Sequence, residues 1–508
     1  MSEAPTIDRP DTAAIQAEHV DVLIVGAGIS GVSAGYHLQH SLLGKRFVML
    51  EAQKSYGGTW YTHKYPGIRS DSDLYTFGYR FKPWTGAPIA TAAEIRRYMG
   101  EAIAENGLDR HIRYQHKVLR AAWSTEAKRW TIDAIRTDPD TGEGEPVRFT
   151  ANFLWMCQGY YRHEDGFMPQ WPGTEDFQGQ IVHSMHWNPD TDLSGKRVVV
   201  IGSGASAATI VPNIAEHCEH VTMLQRTPIF YRTGRNAIEI ADELRRLEVD
   251  ESWIHEIVRR KILYEQKVFN GRSFTDSETV RGELLGLVRD ALGEGSEETI
   301  AANFTPKYRP WQQRIAFVPD ADCFQQIKAG RASVKTGIIE RFVPGGIELQ
   351  SGELLEADLV VAATGFHLSV LGDIDFTIDG TPLEFGETVT YRGLMFTGVP
   401  NMAWVFGYLR ASWTLRADLV ADFIVRLLGH MEARGAEMVV PTLRPEDAGM
   451  KLEPWIAPDN FNPGYVNRGI HLLPKCGDKT EWRHTHDYWE DNHTIPAADL
   501  DDGCLTYS

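Results

Sequence analysis

The 508-residue sequence predicts an α/β fold: two Rossmann-like dinucleotide-binding domains, with a helical insertion in the second. Three observations predict it. One apolar, β-branched run ends in Gly26-Ala-Gly28-Ile-Ser-Gly31, and a second, Arg197-Val-Val-Val-Ile201, ends in Gly202-Ser-Gly204-Ala-Ser-Ala207. Between about Asn236 and Thr305 the pattern then turns helical, with Leu244, Leu247, Ile254, Ile257, Val258 and Ile262, then Leu284, Leu287, Val288 and Leu292, as core-facing stripes. The expected boundaries are 1–160 and 366–508 for the first domain, 161–235 and 313–365 for the second, and 236–312 for the insertion.

Composition narrows the function classes. A chain of this length exceeds one ordinary core, and its 43% apolar and 24% charged residues are those of a globular protein. A net charge of −18 repels phosphate backbones, which argues against nucleic-acid binding. No apolar run is long enough to cross a bilayer. The polar, acidic N-terminus and a C-terminus without a lipidation motif predict neither leader nor anchor. Five scattered cysteines, with no Cys-x-x-Cys pair, fit a reducing cytoplasm and count against a dithiol redox enzyme.

The first fifteen or so residues read as a loose tail. Val20-Asp-Val-Leu-Ile-Val25 is then a buried parallel strand. Gly26 permits the turn after it, Gly28 admits a pyrophosphate to the backbone, and Gly31 lets helix and strand pack closely. The next strand, Arg46-Phe-Val-Met-Leu-Glu51, ends in an acid placed to hold a ribose hydroxyl. The dinucleotide contacts expected here are Gly26, Gly28, Ser30, Gly31 and Glu51. The loop after it, with Gly57-Gly58-Thr59-Trp60 and Tyr65-Pro-Gly67-Ile-Arg-Ser-Asp71, is crowded with aromatic and charged residues where an isoalloxazine ring would lie. FAD therefore explains this unit, with Gly58, Thr59, Trp60 and Val118 as further contacts. A helix around Glu94-Ile-Arg-Arg-Tyr-Met follows, then strands Ile112–Val118, Leu119–Trp123, Arg129–Ala134 and Arg148–Met156, with a solvated hairpin loop before the last.

In the second unit Ala207 replaces the third glycine, where only close helix packing is required. Its next strand ends in Gln225-Arg226-Thr227 instead of an acid. An acid repels a 2′-phosphate and an arginine pairs with it, so NADPH is the expected coenzyme, held by Gly202, Ser203, Gly204, Ala205, Ser206, Arg226 and Thr227. Asp358-Leu-Val-Val-Ala-Ala-Thr-Gly365-Phe366 is a strand and glycine turn that returns the chain to the first domain, and a long helix over Ala417–Ala433 completes it. The histidines of Trp482-Arg-His484-Thr-His486 have no partner cluster and read as polar surface, so no metal is assigned.

Between the two units stands Phe177-Gln-Gly179-Gln-Ile-Val-His183-Ser-Met-His-Trp187, a loop unusually rich in aromatics and imidazoles. Its pattern Phe177-x-Gly179-x-x-x-His183-x-x-x-Trp187 resembles the fingerprint of type I Baeyer–Villiger monooxygenases. Gly58-x-Trp60, Pro66-Gly67 and Asp71 resemble their second one. The resemblance covers nearly the whole chain. Tyr65-Pro-Gly-Ile-Arg-Ser-Asp-Ser-Asp, Met223-Leu-Gln-Arg-Thr-Pro and Asn462-Pro-Gly-Tyr-Val look like the branch containing the mycobacterial ethionamide-activating enzyme. Asn188, before Pro189, departs from the family pattern.

The resemblance implies that NADPH reduces FAD, that the reduced flavin captures O2 as a C4a-peroxide, and that a ketone becomes an ester or lactone, with thioether sulfoxidation alongside. It implies that Arg314, in Trp311-Gln-Gln-Arg314, is the catalytic arginine and Asp71 the acid that orients it. Gln313 stands where the family often has a lysine, which puts that residue's cofactor contact in doubt. Phe177, Gly179, His183 and Trp187 are expected to act as a hinge coupling nicotinamide binding to flavin-site closure. Phe366, Trp404 and Trp413 are apolar candidates for the substrate wall. The competing readings are a monooxygenase of sulfur or nitrogen centres with little ketone activity, and a flavin/NADPH-binding redox sensor without turnover.

Overall fold

The computed structural model describes residues 16–508, so the expected N-terminal tail lies outside the described residues. Val22-Leu-Ile-Val25 is buried on both faces, as an apolar run without polar alternation requires. Its strand, Glu18–Val25, runs parallel between Phe47–Leu50 and Gly144–Met156, with Val25 opposite both Leu50 and Met156. Around it a nine-stranded sheet forms. On one side it continues through an antiparallel meander of His116–Ser124, Arg129–Thr137 and Gly144–Met156.

The sequence reading breaks the first meander strand at Val118. The structure instead has a short strand, Ile112–Arg113, and a continuous one, His116–Ser124, with a register shift between Val118 and Arg120. A bulge keeps both halves in one ladder while re-aiming the side chains. Asp375–Ile378 and Met402–Trp404 later join this same sheet, so the chain leaves the first domain and returns to it.

Between departure and return lies a second sheet of five strands, Ala332–Thr336, His220–Gln225, Arg197–Ile201, Leu359–Ala362 and Gln180–His183, all parallel in that spatial order. The chain thus has two Rossmann-like dinucleotide-binding folds. The Phe177–Trp187 stretch, expected as a loop, is mostly ordered structure. Gln180–His183 is the edge strand of the second sheet, and Ser184–His186 forms a 3-10 turn. Ile181 and Val182 read as loop residues because the run is too short to show periodicity.

Four helices, Glu239–Arg246, Glu251–Thr275, Ser277–Leu292 and Glu297–Asn303, form the insertion. Ile254, Val258, Leu284 and Val288 are buried as expected, but Leu247 and Ile257 are 73% and 37% exposed. The inner face of the long helix is partly polar. Arg259 donates from Nη1 to Tyr75 O at 2.8 Å, and His255 Nδ1 accepts from Trp84 N at 3.0 Å. These bonds dock the insertion on the first domain and turn Ile257 outward.

Two further expectations are corrected. His484 is buried and stacks on His486, with ring centroids 3.8 Å apart, against Trp455. The pair is not polar surface: His486 and Trp455 O hydrogen-bond at 3.0 Å, His484 Nδ1 accepts from His486 N, and burial lowers His486 to about 3, leaving flat neutral rings. Trp404, 1% exposed, is a core residue on the strand paired with Gly144–Met156 and lines no cleft. Among the described residues no helix is long and apolar enough to cross a membrane.

Candidate active site

The first glycine turn is built as its spacing requires. Gly26 has φ +100°, and a Cβ there would lie 2.7 Å from Cys157 O, while one on Gly31 would lie 1.9 Å from Gly26 O. Gly28 is different: its Cβ would meet only Gly58 Cα, at 3.8 Å, and helix Ile29–His40 begins there with no side-chain cap. Open backbone at an uncapped helix N-terminus is a cradle for a phosphate. Glu51 locks the turn from the next strand, accepting from Ala27 N and Gln53 N at 2.8 Å each, and burial raises its carboxyl pKa despite these bonds.

The loop with Gly58, Thr59 and Trp60 folds back over this turn. Gly57 N donates to Ala27 O at 3.1 Å, and Thr59 Oγ1 lies 2.6 Å from Tyr161 Oη. Ser30 Oγ accepts from Trp413 Nε1 at 2.7 Å, tying the helix start to the return segment. Val118 is buried with Val25 and Leu50, two residues beyond the His116 N–H that donates to Glu51 O.

The second turn repeats the design. Gly202 has φ +131°, and a Cβ on it would lie 2.3 Å from Ala363 O, whereas a Cβ on Gly204 would meet nothing within 4 Å. Helix Ala205–Ile214 starts uncapped at Gly204 with Ala205 exposed at its mouth, Ser206 is half-buried and hydrogen-bonds the Tyr65 hydroxyl, and Ser203 O accepts from Tyr231 Oη at 3.0 Å. Gln225 turns inward, donating to Asn303 O and Thr336 Oγ1, while Arg226 and Thr227 project into solvent at the end of the strand.

Arg314 and Asp71 meet between the two turns. Arg314 donates from Nε to Asp71 Oδ2 at 2.7 Å and from Nη2 to Oδ1 at 2.6 Å, a two-point pair that fixes the guanidinium plane. Asp71 is largely covered, at 19%, whereas the Arg314 side chain is 44% exposed. The Asp71 charge holds Arg314 firmly protonated against the cost of its surroundings. A second pair tightens the same loop: Arg69 binds Asp322 through two contacts of 2.5 and 3.1 Å. Gly67 abuts the second domain, where a Cβ would strike the Asn213 side chain.

Residues that sequence reasoning did not single out complete the cleft. Burial raises the phenol pKa of both Tyr160 and Tyr465, and the nearby Arg314 charge opposes the rise at each. Tyr160 stacks on Trp413 at 5.2 Å. The signal available in the sequence was the Gly159 turn directly before Tyr160. Of the proposed wall residues, Trp413 joins this cluster, and Phe366 stacks on Tyr161 at 4.6 Å.

The fingerprint residues pack within the second domain. Phe177 packs edge-on against Phe342, and a Cβ on Gly179 would lie 2.5 Å from Asp358 O. Trp187 is buried in the core of the second domain. His183 Nδ1 accepts from Met185 N at 3.1 Å, and burial lowers the ring to about 4, so it is neutral with its proton on Nε2. Gly166 is what makes room for that ring, since a Cβ there would lie 1.8 Å from His183 Cε1.

Comparison with known proteins supplies the family and the fold. Residues 24–85 match the NAD(P)-binding Rossmann-like domain and residues 89–234 the flavin-binding monooxygenase-like family. The chain is 42% identical over 495 residues to the FAD-containing monooxygenase EthA of Mycobacterium tuberculosis, covering 97% of this chain and 98% of that one. It is 38% identical over 492 residues to the probable FAD-binding monooxygenase AlmA of Acinetobacter baylyi, covering 96% of each. Its fold resembles a complex of OTEMO with FAD and NADP (TM-score 0.72, 18% identity, 97% of this chain and 100% of that one). It also resembles an open cyclohexanone monooxygenase (TM-score 0.68, 22% identity, 85% and 91%).

Proposed function

This chain belongs to the FAD-containing, flavin-binding monooxygenases, and from that premise we propose that it is an NADPH- and O2-dependent Baeyer–Villiger monooxygenase. It inserts one oxygen atom beside a ketone carbonyl to give an ester or lactone, and oxidises thioethers as a secondary activity. The observation that carries this reading is the two-point Arg314–Asp71 pair, with its guanidinium partly exposed, in a chain that also carries two phosphate-ready glycine turns.

The residues present fit both cofactors. Gly26, Gly28, Ser30, Gly31, Glu51, Gly58, Thr59, Trp60 and Val118 hold FAD. Gly202, Ser203, Gly204, Ala205, Ser206, Arg226 and Thr227 would hold NADPH, with the exposed Arg226 available to a 2′-phosphate. Bound FAD, reduced by NADPH, supplies the activation of O2. The protein supplies the charge and the enclosure. Arg314 is the catalytic cation: a fixed positive charge stabilises negative charge developing on oxygen without reorganising. Asp71 orients that cation and keeps it from turning into solvent. Tyr160, Tyr465 and Trp413 wall the cleft against water. Phe177, Gly179, His183 and Trp187 form the hinge element, because a strand at the sheet edge moves with the second domain.

Incubation of purified protein with NADPH and linear, cyclic and aryl ketones, read by mass spectrometry, tests the reading. Arg314→Ala is expected to lower ester formation by about 10²-fold or more with FAD still bound. Ester formation at the wild-type rate in that variant overturns the role of Arg314. His183→Ala is expected to slow turnover with FAD retained, and release of FAD instead would contradict a hinge.

A further inference from the structure

The segments carrying Arg314 and Trp413 meet the end of the long insertion helix at a second basic cluster. Arg309 and Arg410 share one aromatic ring, with their Cζ atoms 4.2 and 5.0 Å from the Phe274 centroid, and Arg410 also lies 5.9 Å from the Phe461 ring. Their hydrogen bonds go to uncharged acceptors. Arg410 donates from Nη2 to Asn460 O and Oδ1 at 2.7 Å each and to Trp311 O at 3.3 Å. Arg309 donates to Pro310 O at 3.1 Å and, from Nη2, to Asp459 O, Asn460 O and Asn460 Oδ1 at 3.3–3.4 Å.

Among the described residues no carboxylate comes within ion-pair distance of either arginine, in a chain with 69 acidic against 51 basic residues. Asp487 is felt by Arg410 only as a distant favourable charge. Arg410 Nε is buried with no acceptor at all. Burial, and then repulsion from Arg309, lowers Arg410 to about 10, and burial lowers Arg309 too. Tying loops together explains the bonds from the Nη2 atoms. It does not explain two like charges on one ring, or the unpaired Nε. Partly buried cations without counter-charges are costly, and an arriving anion relieves that cost.

The pair adjoins the segments that carry Arg314, Trp413 and Tyr465. The Trp311 carbonyl that Arg410 holds is three residues before Arg314, and Arg410 itself is three residues before Trp413, which stacks on Tyr160. Asn462 N donates to Gln312 O at 3.0 Å, bringing the segment that leads into Tyr465 to the same place. We propose that Arg309 and Arg410 form an anion subsite beside the oxygenation cleft that takes the carboxylate of an oxo-acid substrate. The proposal rests on the Baeyer–Villiger reading and narrows its substrate class: ketones bearing a carboxylate are preferred over neutral ones. The same fork chemistry suits a phosphate of the coenzyme, so the test separates the two.

The holoenzyme is assayed with 9-oxodecanoate and with its methyl ester, in wild type, R410Q, R410K and R309Q, while isothermal titration measures decanoate binding to each. Wild type is expected to show kcat/KM at least about ten-fold higher for the acid than for the ester, as one charge-assisted hydrogen bond allows. R410Q is expected to lower that acid-to-ester ratio about ten-fold and to weaken decanoate binding, with R410K keeping most of both. Should R410Q not fold, R309Q carries the same comparison. A ratio near one in wild type, or a ratio unchanged in R410Q and R309Q, overturns the subsite. A rise in KM for NADPH instead of for the oxo acid overturns it in favour of a coenzyme phosphate. If wild type oxidises neither compound but still forms esters from the ketone panel, the oxo-acid subsite is overturned; if the panel too gives no ester, the Baeyer–Villiger reading fails, and the titration alone decides the subsite: decanoate binding weakened in R410Q upholds it, and equal binding refutes it.

Discussion

Arg314 and Asp71, 243 positions apart, form one rigid unit because a guanidinium fork and a carboxylate match at two points. Asp71→Asn keeps the shape and removes the charge that aims the cation. Ester formation is then expected to fall about ten- to hundred-fold, with FAD content and the KM for NADPH little changed. Steady-state product formation checks this, and a wild-type kcat would show that Arg314 needs no partner. Arg226 makes a separate prediction. Exposed at the end of its strand, it has the reach for a 2′-phosphate. Arg226→Ala should reduce the kcat/KM preference for NADPH over NADH by about ten-fold or more. An unchanged preference would mean that other groups read the phosphate. These residues were legible in the sequence for different reasons. Arg226 stands at a position with a physical meaning, the end of the second strand. Arg314 and Asp71 were found only through family likeness, since nothing local marks a lone arginine as one that faces a cleft. Nothing local marks Tyr160, Tyr465 or Arg410 as belonging to the site, because they come together only where three distant segments converge.

Each glycine turn divides its labour between neighbouring residues, and substitution should separate the two parts. At Gly202 the backbone has φ +131° and Ala363 O crowds the missing side chain, so Gly202→Ala strains the turn itself. At Gly204 there is open space, and Gly204→Ala should fold normally but place a methyl group where the pyrophosphate comes closest. Expected outcomes are a lowered melting temperature for the first variant. For the second, melting should be near wild type and the KM for NADPH about ten-fold higher or more. Thermal unfolding and coenzyme titration would expose an error, most directly if Gly204→Ala bound NADPH as wild type does. Elements of this kind are the most legible in sequence, because turn, strand and helix are all encoded within a dozen residues. The fingerprint segment was less so. Gln180–His183 is a strand only because Leu359–Ala362 offers it an edge, and a partner so far along the chain leaves no mark on its own residues. The long insertion helix failed differently. Its period was right, but His255 and Arg259 took the inner face through hydrogen bonds to the first domain, so Ile257 was left outside.

At the scale of the whole molecule, two sheets, an insertion and a return segment are joined by interfaces that bury histidines, and this predicts how the protein responds to acid. His63, His183 and His255 are each 3–5% exposed, on the flavin loop, the fingerprint strand and the insertion helix respectively. Burial lowers them to about 3, 4 and 4 from an ordinary value of 6.5. The unfolded chain therefore takes up these protons below about pH 6.5, while the folded one refuses them until about pH 4. Protons held by the unfolded state alone shift the balance toward unfolding, so stability present above pH 6.5 is lost as the pH falls through that window. Each such histidine contributes a slope of about 1.4 kcal/mol per pH unit inside the window. Glu51 and Asp73, whose carboxyls burial raises, act in the opposite sense and offset part of the loss. With His484 and His486, which burial also lowers, the histidines outnumber them. The melting temperature should fall steadily from about pH 7 to about pH 5, well before most surface carboxylates titrate. His255→Gln keeps an acceptor for the Trp84 N–H and removes one titrating group, so it should flatten the decline by one proton's slope. Melting curves for the two proteins across that range decide the matter: parallel declines would take His255 out of the account, and a flat wild-type profile would remove the buried histidines altogether.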